Sequence, residues 1–137
     1  MKKVFLDTNV ILDFVTERDG YEDACDILQM GEDGKVVLCV SILTMANTAY
    51  VARKGRTSDE LYAVMEGLAD MLDVMQMDRS QLKTALEIKA TDLEDVLQYA
   101  CALYHECDVI VTRNTRHFKF STIKVLNPKD FIREYSD

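Results

Sequence analysis

Four short stretches carry the residue types able to do chemistry. The apolar run Val4-Phe5-Leu6 ends on Asp7, a carboxylate placed where the pattern still predicts burial. Behind a second apolar run, Ser41, Thr44 and Asn47 recur at a spacing of three, on one face of a helix. Asp92 and Asp95 stand three apart at the start of another helix. Thr112-Arg113-Asn114 closes the run that begins at Asp108, so Asn114 stands there as Asp7 stands on the first. Carboxylate and amide oxygens gathered at one edge suit a hard divalent cation, Mg²⁺ or Mn²⁺. Each position also has a plainer reading. Asp7 is a preferred helix cap, Thr91-x-x-Glu94 has the form of a capping box, and Asp92 in the first turn suits the helix dipole. Capping explains Asp95 least, because it lies beside Leu93 and Val96, past the orphan amides.

The elements that must position these residues follow from apolar periodicity. Val4-Phe5-Leu6 reads as a strand buried on both faces, with Thr8-Asn9 as turn and cap for a helix over about Val10 to Thr16. A second helix spans Tyr21 to Met30, ended by Gly31 and Gly34. Lys35–Val40 is a second strand; Ser41 caps a helix reaching Gly55, and Thr57-Ser58-Asp59-Glu60 starts the next. Asp73–Met77 is a short third strand, followed by helices from Arg79 to Lys89 and from Thr91 to Glu106. Asp108–Thr112 and Thr122–Leu126 complete five strands, and Asn127-Pro128 caps a last helix over Phe131-Ile132. Strands alternating with helices, without repeats or low-complexity linkers, predict one α/β domain over residues 1–137, built on a parallel sheet.

Bulk properties narrow the classes. Hydrophobic residues at 48% and charged ones at 29% describe an ordinary soluble globular chain. The longest apolar runs are strand-sized, which predicts no membrane span, and Lys2-Lys3 precedes too short a stretch for a signal peptide. The expected location is the cytoplasm. Cys25, Cys39, Cys101 and Cys107 form no C-x-x-C pair and read as free thiols, and Met30, Met45, Met65 and Met71 read as core filler. A net charge of −8 argues against a general nucleic-acid-binding surface, although Arg53, Lys54 and Arg56 form one basic cluster. Arg113, Arg116, His117, Lys119 and Lys124 form another.

Three motifs in register resemble the PIN domain family: Val4-Phe5-Leu6-Asp7-Thr8-Asn9-Val10-Ile11-Leu12-Asp13, Asp92-Leu93-Glu94-Asp95-Val96-Leu97, and Asp108-Val109-Ile110-Val111-Thr112-Arg113-Asn114. Phe118 and the tail Val125-Leu126-Asn127-Pro128-Lys129-Asp130-Phe131 fit its small prokaryotic, VapC-like branch. The resemblance covers essentially the whole chain. It implies a three-layer α/β/α sandwich on a five-stranded parallel sheet. It also implies a metal-dependent ribonuclease, the toxin half of a VapBC-type toxin–antitoxin pair.

Carried over residue by residue, the resemblance gives Asp7 and Asp95 as Mg²⁺- or Mn²⁺-binding acids, with Asp92 close by. The acid usual in the helix after the second strand falls at Asn47, and the acid usual at the end of the fourth strand falls at Asn114. An amide coordinates through its carbonyl but brings no charge and cannot act as a base. Asn47 and Asn114 are then expected to orient water or phosphate. Thr8, Asn9, Ser41 and Thr112 would add polar contacts, and Arg113 and Arg116 would hold the RNA backbone. Expected partners are single-stranded or structured RNA, an antitoxin protein and a second copy of the chain, the proteins docking on the helices between Ser41 and Leu72. The two amides also support a different class, a PIN-like module without catalysis that binds RNA or a protein. A third class, phosphoryl transfer through Asp7 as acceptor, lacks the Asp-x-Asp usual at such a strand end.

Overall fold

Strand β1 (Lys3–Leu6) decides where everything else goes, because Val4, Phe5 and Leu6 are fully buried and must be covered on both faces. The computed structural model describes residues 1–137. After β1 come α1 (Thr8–Val15), α2 (Tyr21–Glu32), β2 (Val37–Ser41), α3 (Ile42–Ala52), α4 (Ser58–Met71) and β3 (Asp73–Met75). Then follow α5 (Arg79–Ile88), α6 (Leu93–Tyr104), β4 (Val109–Val111), a single 3₁₀ turn (Thr115–Phe118), β5 (Lys124–Leu126) and α7 (Pro128–Tyr135). The five strands form one sheet in the order β3-β2-β1-β4-β5, every pair parallel. Lys3 aligns with Val37 and Phe5 with Ile110.

Alternation along the strands divides the core in two. Val4 and Leu6 pack with Val10, Ile11, Ile27, Leu28, Met45, Leu68 and Phe131, from α1, α2, α3, α4 and α7. Phe5 turns the other way, onto Cys39, Met75, Tyr99, Cys101 and Ile110 under α6. The architecture is therefore the expected α/β/α sandwich on a five-stranded parallel sheet. The four cysteines are free thiols, and no helix is long and apolar enough to cross a membrane.

Several boundaries differ from the sequence reading, for local reasons. Helix α1 begins at Thr8, since Asp7 itself is the cap and accepts from the Thr8 amide. Helix α2 runs through Gly31 to Glu32, and the reversal falls at Gly34, whose φ of +74° suits a residue without Cβ. Helix α6 starts after Asp92, not at Thr91: the Asp92 carboxylate accepts from the Asp95 amide, and no Thr91–Glu94 capping box forms. That leaves Glu94 free for another partner. The 3₁₀ turn after β4 is absent from the sequence reading; it buries Phe118 and delivers His117.

The chain order of the sheet reverses between β1 and β4. Such a switch point opens a crevice at the carboxyl ends of the strands. Asp7 stands on one side of it and Thr112-Arg113-Asn114 on the other, at the same edge.

Candidate functional site

A buried hydrogen-bond network ties two of the helix starts around this crevice to the middle of α6. Gln98 of α6 is fully buried and donates through Nε2 to Thr8 Oγ1 at 2.9 Å and Thr44 Oγ1 at 2.8 Å. Its Oε1 accepts from Ser41 Oγ at 2.7 Å, and Thr8 and Thr44 meet at 2.8 Å. One side chain thus ties the starts of α1 and α3 to α6. Truncation removes three buried hydrogen bonds and leaves a cavity in their place, so Gln98→Ala is expected to cost about 2–4 kcal/mol. Urea denaturation measures this; a loss below about 1 kcal/mol would show that the network does not hold the frame.

The β1–β4 side is held by Asp7. Its Oδ1 accepts from the Thr8 amide at 2.8 Å, and its Oδ2 from Thr112 Oγ1 at 2.8 Å and Asn9 Nδ2 at 3.3 Å. Asn9 also takes the Arg113 amide on Oδ1, and Thr112 Oγ1 takes the Asn114 amide at 3.0 Å. Ser41 and Thr112 are fully buried and spent on these bonds. Their expected contact with RNA is corrected accordingly: both are parts of the frame. Thr8 is likewise almost wholly covered.

Asp7, Thr8, Asn9, Leu12, Asp92, Glu94, Asp95, Asn114 and His117 line one open pocket of about 230 Å³. Asp7, Asp92, Asp95 and Asn114, expected together from the sequence, meet there. Asn47 does not line it. It stands behind, where its Nδ2 donates to Glu94 Oε2 at 2.9 Å. Glu94 and His117 are two site residues the sequence reading did not select. Glu94 was absorbed by the Thr91-x-x-Glu94 pattern, and His117 arrives on the unanticipated 3₁₀ turn, with Nδ1 3.2 Å from Asp95 Oδ2.

The electrostatics of the pocket are those of crowded negative charge. Burial pushes the Asp7 carboxyl above its ordinary range, and Asp92 adds to the rise, while bonds from Thr112 and the Thr8 amide oppose it. Asp95 is pushed up to about 6 by burial and then by Asp7 and Asp92, with His117 pulling the other way. Glu94 is raised by partial desolvation at the pocket wall, then by Asp7 and Asp92. No three acidic, histidine or cysteine side chains close into a ready cage for an ion. Burial and neighbouring charge nevertheless raise the proton affinity of Asp7, Glu94 and Asp95, and a divalent cation relieves the same strain as a proton. Asp7, Asp92, Glu94 and Asp95 therefore fit such an ion by charge and donor type.

The arginines divide. Arg113 Nε pairs with Asp13 Oδ2 at 2.9 Å, and Asp13 is 1% exposed. Burial raises the Asp13 carboxyl and Arg113 partly offsets the rise. A Cβ on Gly20 would fall 2.2 Å from that Asp13 oxygen, so the pair requires a glycine there. Arg113 is thus committed first to the protein. Arg116 is exposed and makes no ion pair.

Known proteins resemble this chain over most of its length. The family model described as "PIN domain" matches residues 3–116. The curated protein Ribonuclease VapC1 of Aquifex aeolicus (strain VF5) is 26% identical over 141 residues, covering 98% of this chain and 96% of the relative. Among solved structures, a chain of DNA-bound VapBC from Salmonella typhimurium superposes with a TM-score of 0.71 at 22% identity, covering 93% of this chain and 99% of that one. A chain of a toxin–antitoxin complex from Klebsiella pneumoniae superposes with a TM-score of 0.67 at 17% identity, covering 91% and 97%. Those structures share the fold.

Proposed function

Because the chain belongs to the PIN domain family, we propose that it is a divalent-metal-dependent endoribonuclease, the toxin of a VapBC-type toxin–antitoxin pair. The observation that carries this reading is the pocket at the β1–β4 switch point, where burial and the neighbouring acids, Asp92 among them, raise the proton affinity of Asp7, Glu94 and Asp95. Asp7, Asp95 and Asp92 would hold Mg²⁺ or Mn²⁺, with Glu94 as a fourth carboxylate. When bound, the ion supplies charge neutralisation at the scissile phosphate and a lowered pKa for water. Asp7 is oriented for that work by Thr8, Asn9 and Thr112. Asp95 Oδ2 and His117 Nδ1 form a site where a proton is held or moved. Asn114 offers an uncharged side chain at the pocket wall, suited to orienting water or phosphate.

Glu94 bears on the reading of the chain as a non-catalytic module. That reading rests on the amides at Asn47 and Asn114, and Glu94 returns a carboxylate beside the first of them. An antitoxin is the proposed protein partner, in line with the VapBC and toxin–antitoxin complexes that contain a chain of this fold. Ile42 and Tyr50 on α3 and Tyr62 on α4 are large apolar side chains at least half exposed, a surface for that antitoxin or for a second copy of the chain.

The test is incubation of the purified protein with single-stranded RNA in Mg²⁺, in Mn²⁺ and in chelator. Cleavage is expected with either ion and none with chelator. Cleavage that persists in chelator, or that is equal in wild type and Asp7→Asn, would remove the metal-nuclease reading.

A further inference from the structure

A second groove, of about 520 Å³, adjoins the acidic pocket and shares Asp92 and His117 with it. Its size is that of a small-ligand site, but its lining is basic: Lys89, Arg116 and Lys119 join His117, with Phe120 as its aromatic wall. All three strong cations are exposed, and none forms an ion pair. Lys89 is set in place by the left-handed turn that ends α5, at φ +54°. Phe120 is braced edge-on by Tyr99 at 5.2 Å between ring centroids, and Phe118 lies tilted against it at 5.8 Å. In a chain of net charge −8, three unpaired cations around one braced aromatic ring form a local exception. Phosphate backbone and an unstacked base are the ligand chemistry this combination fits.

We infer that this groove holds the segment of a single RNA strand flanking the scissile phosphate, with phosphates on Lys89, Arg116 and Lys119 and one base stacked on Phe120. The strand then passes from a basic groove into an acidic pocket, and the shared wall of Asp92 and His117 marks the crossing. The inference rests on the nuclease reading only for where cleavage falls; the binding itself needs no metal.

The experiment measures fluorescence anisotropy of a labelled oligouridine in chelator, over a salt series. Lys89→Gln combined with Lys119→Gln is expected to weaken binding about tenfold at low salt. It should also flatten the log–log salt slope by about 1.4, the share of two contacts on a single strand. Phe120→Leu is expected to lose about fivefold with the slope unchanged, its fold checked by melting. Lysine-to-arginine replacement at 89 and 119 should restore both affinity and slope. An unchanged affinity and slope in the double variant overturns the groove, as does a wild type with no salt-dependent binding. A blunt RNA duplex that binds as tightly as the single strand overturns the stacked base. Cleavage of the same oligomer in Mg²⁺ is scored separately: binding without cleavage removes the nuclease reading and leaves the groove standing.

Discussion

Asp95→Asn is expected to reduce cation-dependent RNA cleavage by at least about 100-fold while raising the melting temperature at neutral pH. The loss follows from position: Asp95 lines the pocket, touches His117, and contributes one of its crowded charges. The gain in stability follows from the sign of its titration. The folded-state carboxyl is pushed up to about 6 from an ordinary 3.8, so the folded protein binds the proton more tightly than the unfolded chain does. Between those values the native state carries more protons, and stability falls as pH rises through the window. Above it, ionised Asp95, still partly screened by solvent, penalises the fold by about 1–2 kcal/mol, a penalty the neutral amide does not carry. In a metal-free buffer at pH 7.5, the variant should melt about 4–8 °C higher. That difference should shrink toward zero by pH 4, where wild type has taken up its proton. A variant that melts lower at pH 7.5, or a gap that does not vary with pH, would mean that Asp95 holds the helix and not a cation.

Asp7 should not behave the same way, and the contrast separates charge from architecture. Burial and Asp92 also raise its carboxyl, but both of its oxygens accept bonds, from the Thr8 amide, Thr112 and Asn9. An amide there relieves repulsion yet turns a donor toward groups that are already donating. The two effects oppose, so Asp7→Asn should lose cleavage as fully as Asp95→Asn without its rise in melting temperature.

The contrast also shows what a sequence can carry. Asp7 was legible because an apolar run ending in an acid is a local pattern, and the parallel sheet was legible because wholly apolar runs alternate with helical periods. The fates of Ser41 and Thr112 were not. A polar residue at a strand end can face a ligand or the interior, and the choice is made by Gln98, 57 residues beyond Ser41, and by Asp7, 105 residues before Thr112. Glu94 was hidden by a local rule that failed by one residue. Thr91-x-x-Glu94 satisfies the capping-box pattern, but Asp92 accepts from the third amide and makes the cap one position later. Once Asp92 has that role, Glu94 is free to reach across to Asn47, a pairing over 47 residues that no helix-start pattern encodes.

That pairing makes the largest claim about the site's unusual composition. Asn47 Nδ2 and Glu94 Oε2, 2.9 Å apart, form an amide–carboxylate pair carrying one charge. If that charge serves the cation, Glu94→Gln should weaken Mn²⁺ binding about tenfold by calorimetry and lower cleavage with it. Asn47→Asp alone should bring little gain, because it sets carboxylate against carboxylate and the pair retains a proton in place of a second charge. Combining Asn47→Asp with Glu94→Gln rebuilds the pair with its charge on the other partner, and Mn²⁺ affinity should return to within about threefold of wild type. Asn114 obeys a different logic. Its backbone amide is held by Thr112, but its side chain has no protein partner and lines the pocket directly. Asn114→Asp therefore adds an unopposed ligand charge, and Mn²⁺ affinity should rise about tenfold. The decisive comparison is Glu94→Gln with the double exchange. If the single change leaves metal affinity and cleavage at wild-type levels, the pair is surface packing, and the pocket works on its three aspartates alone.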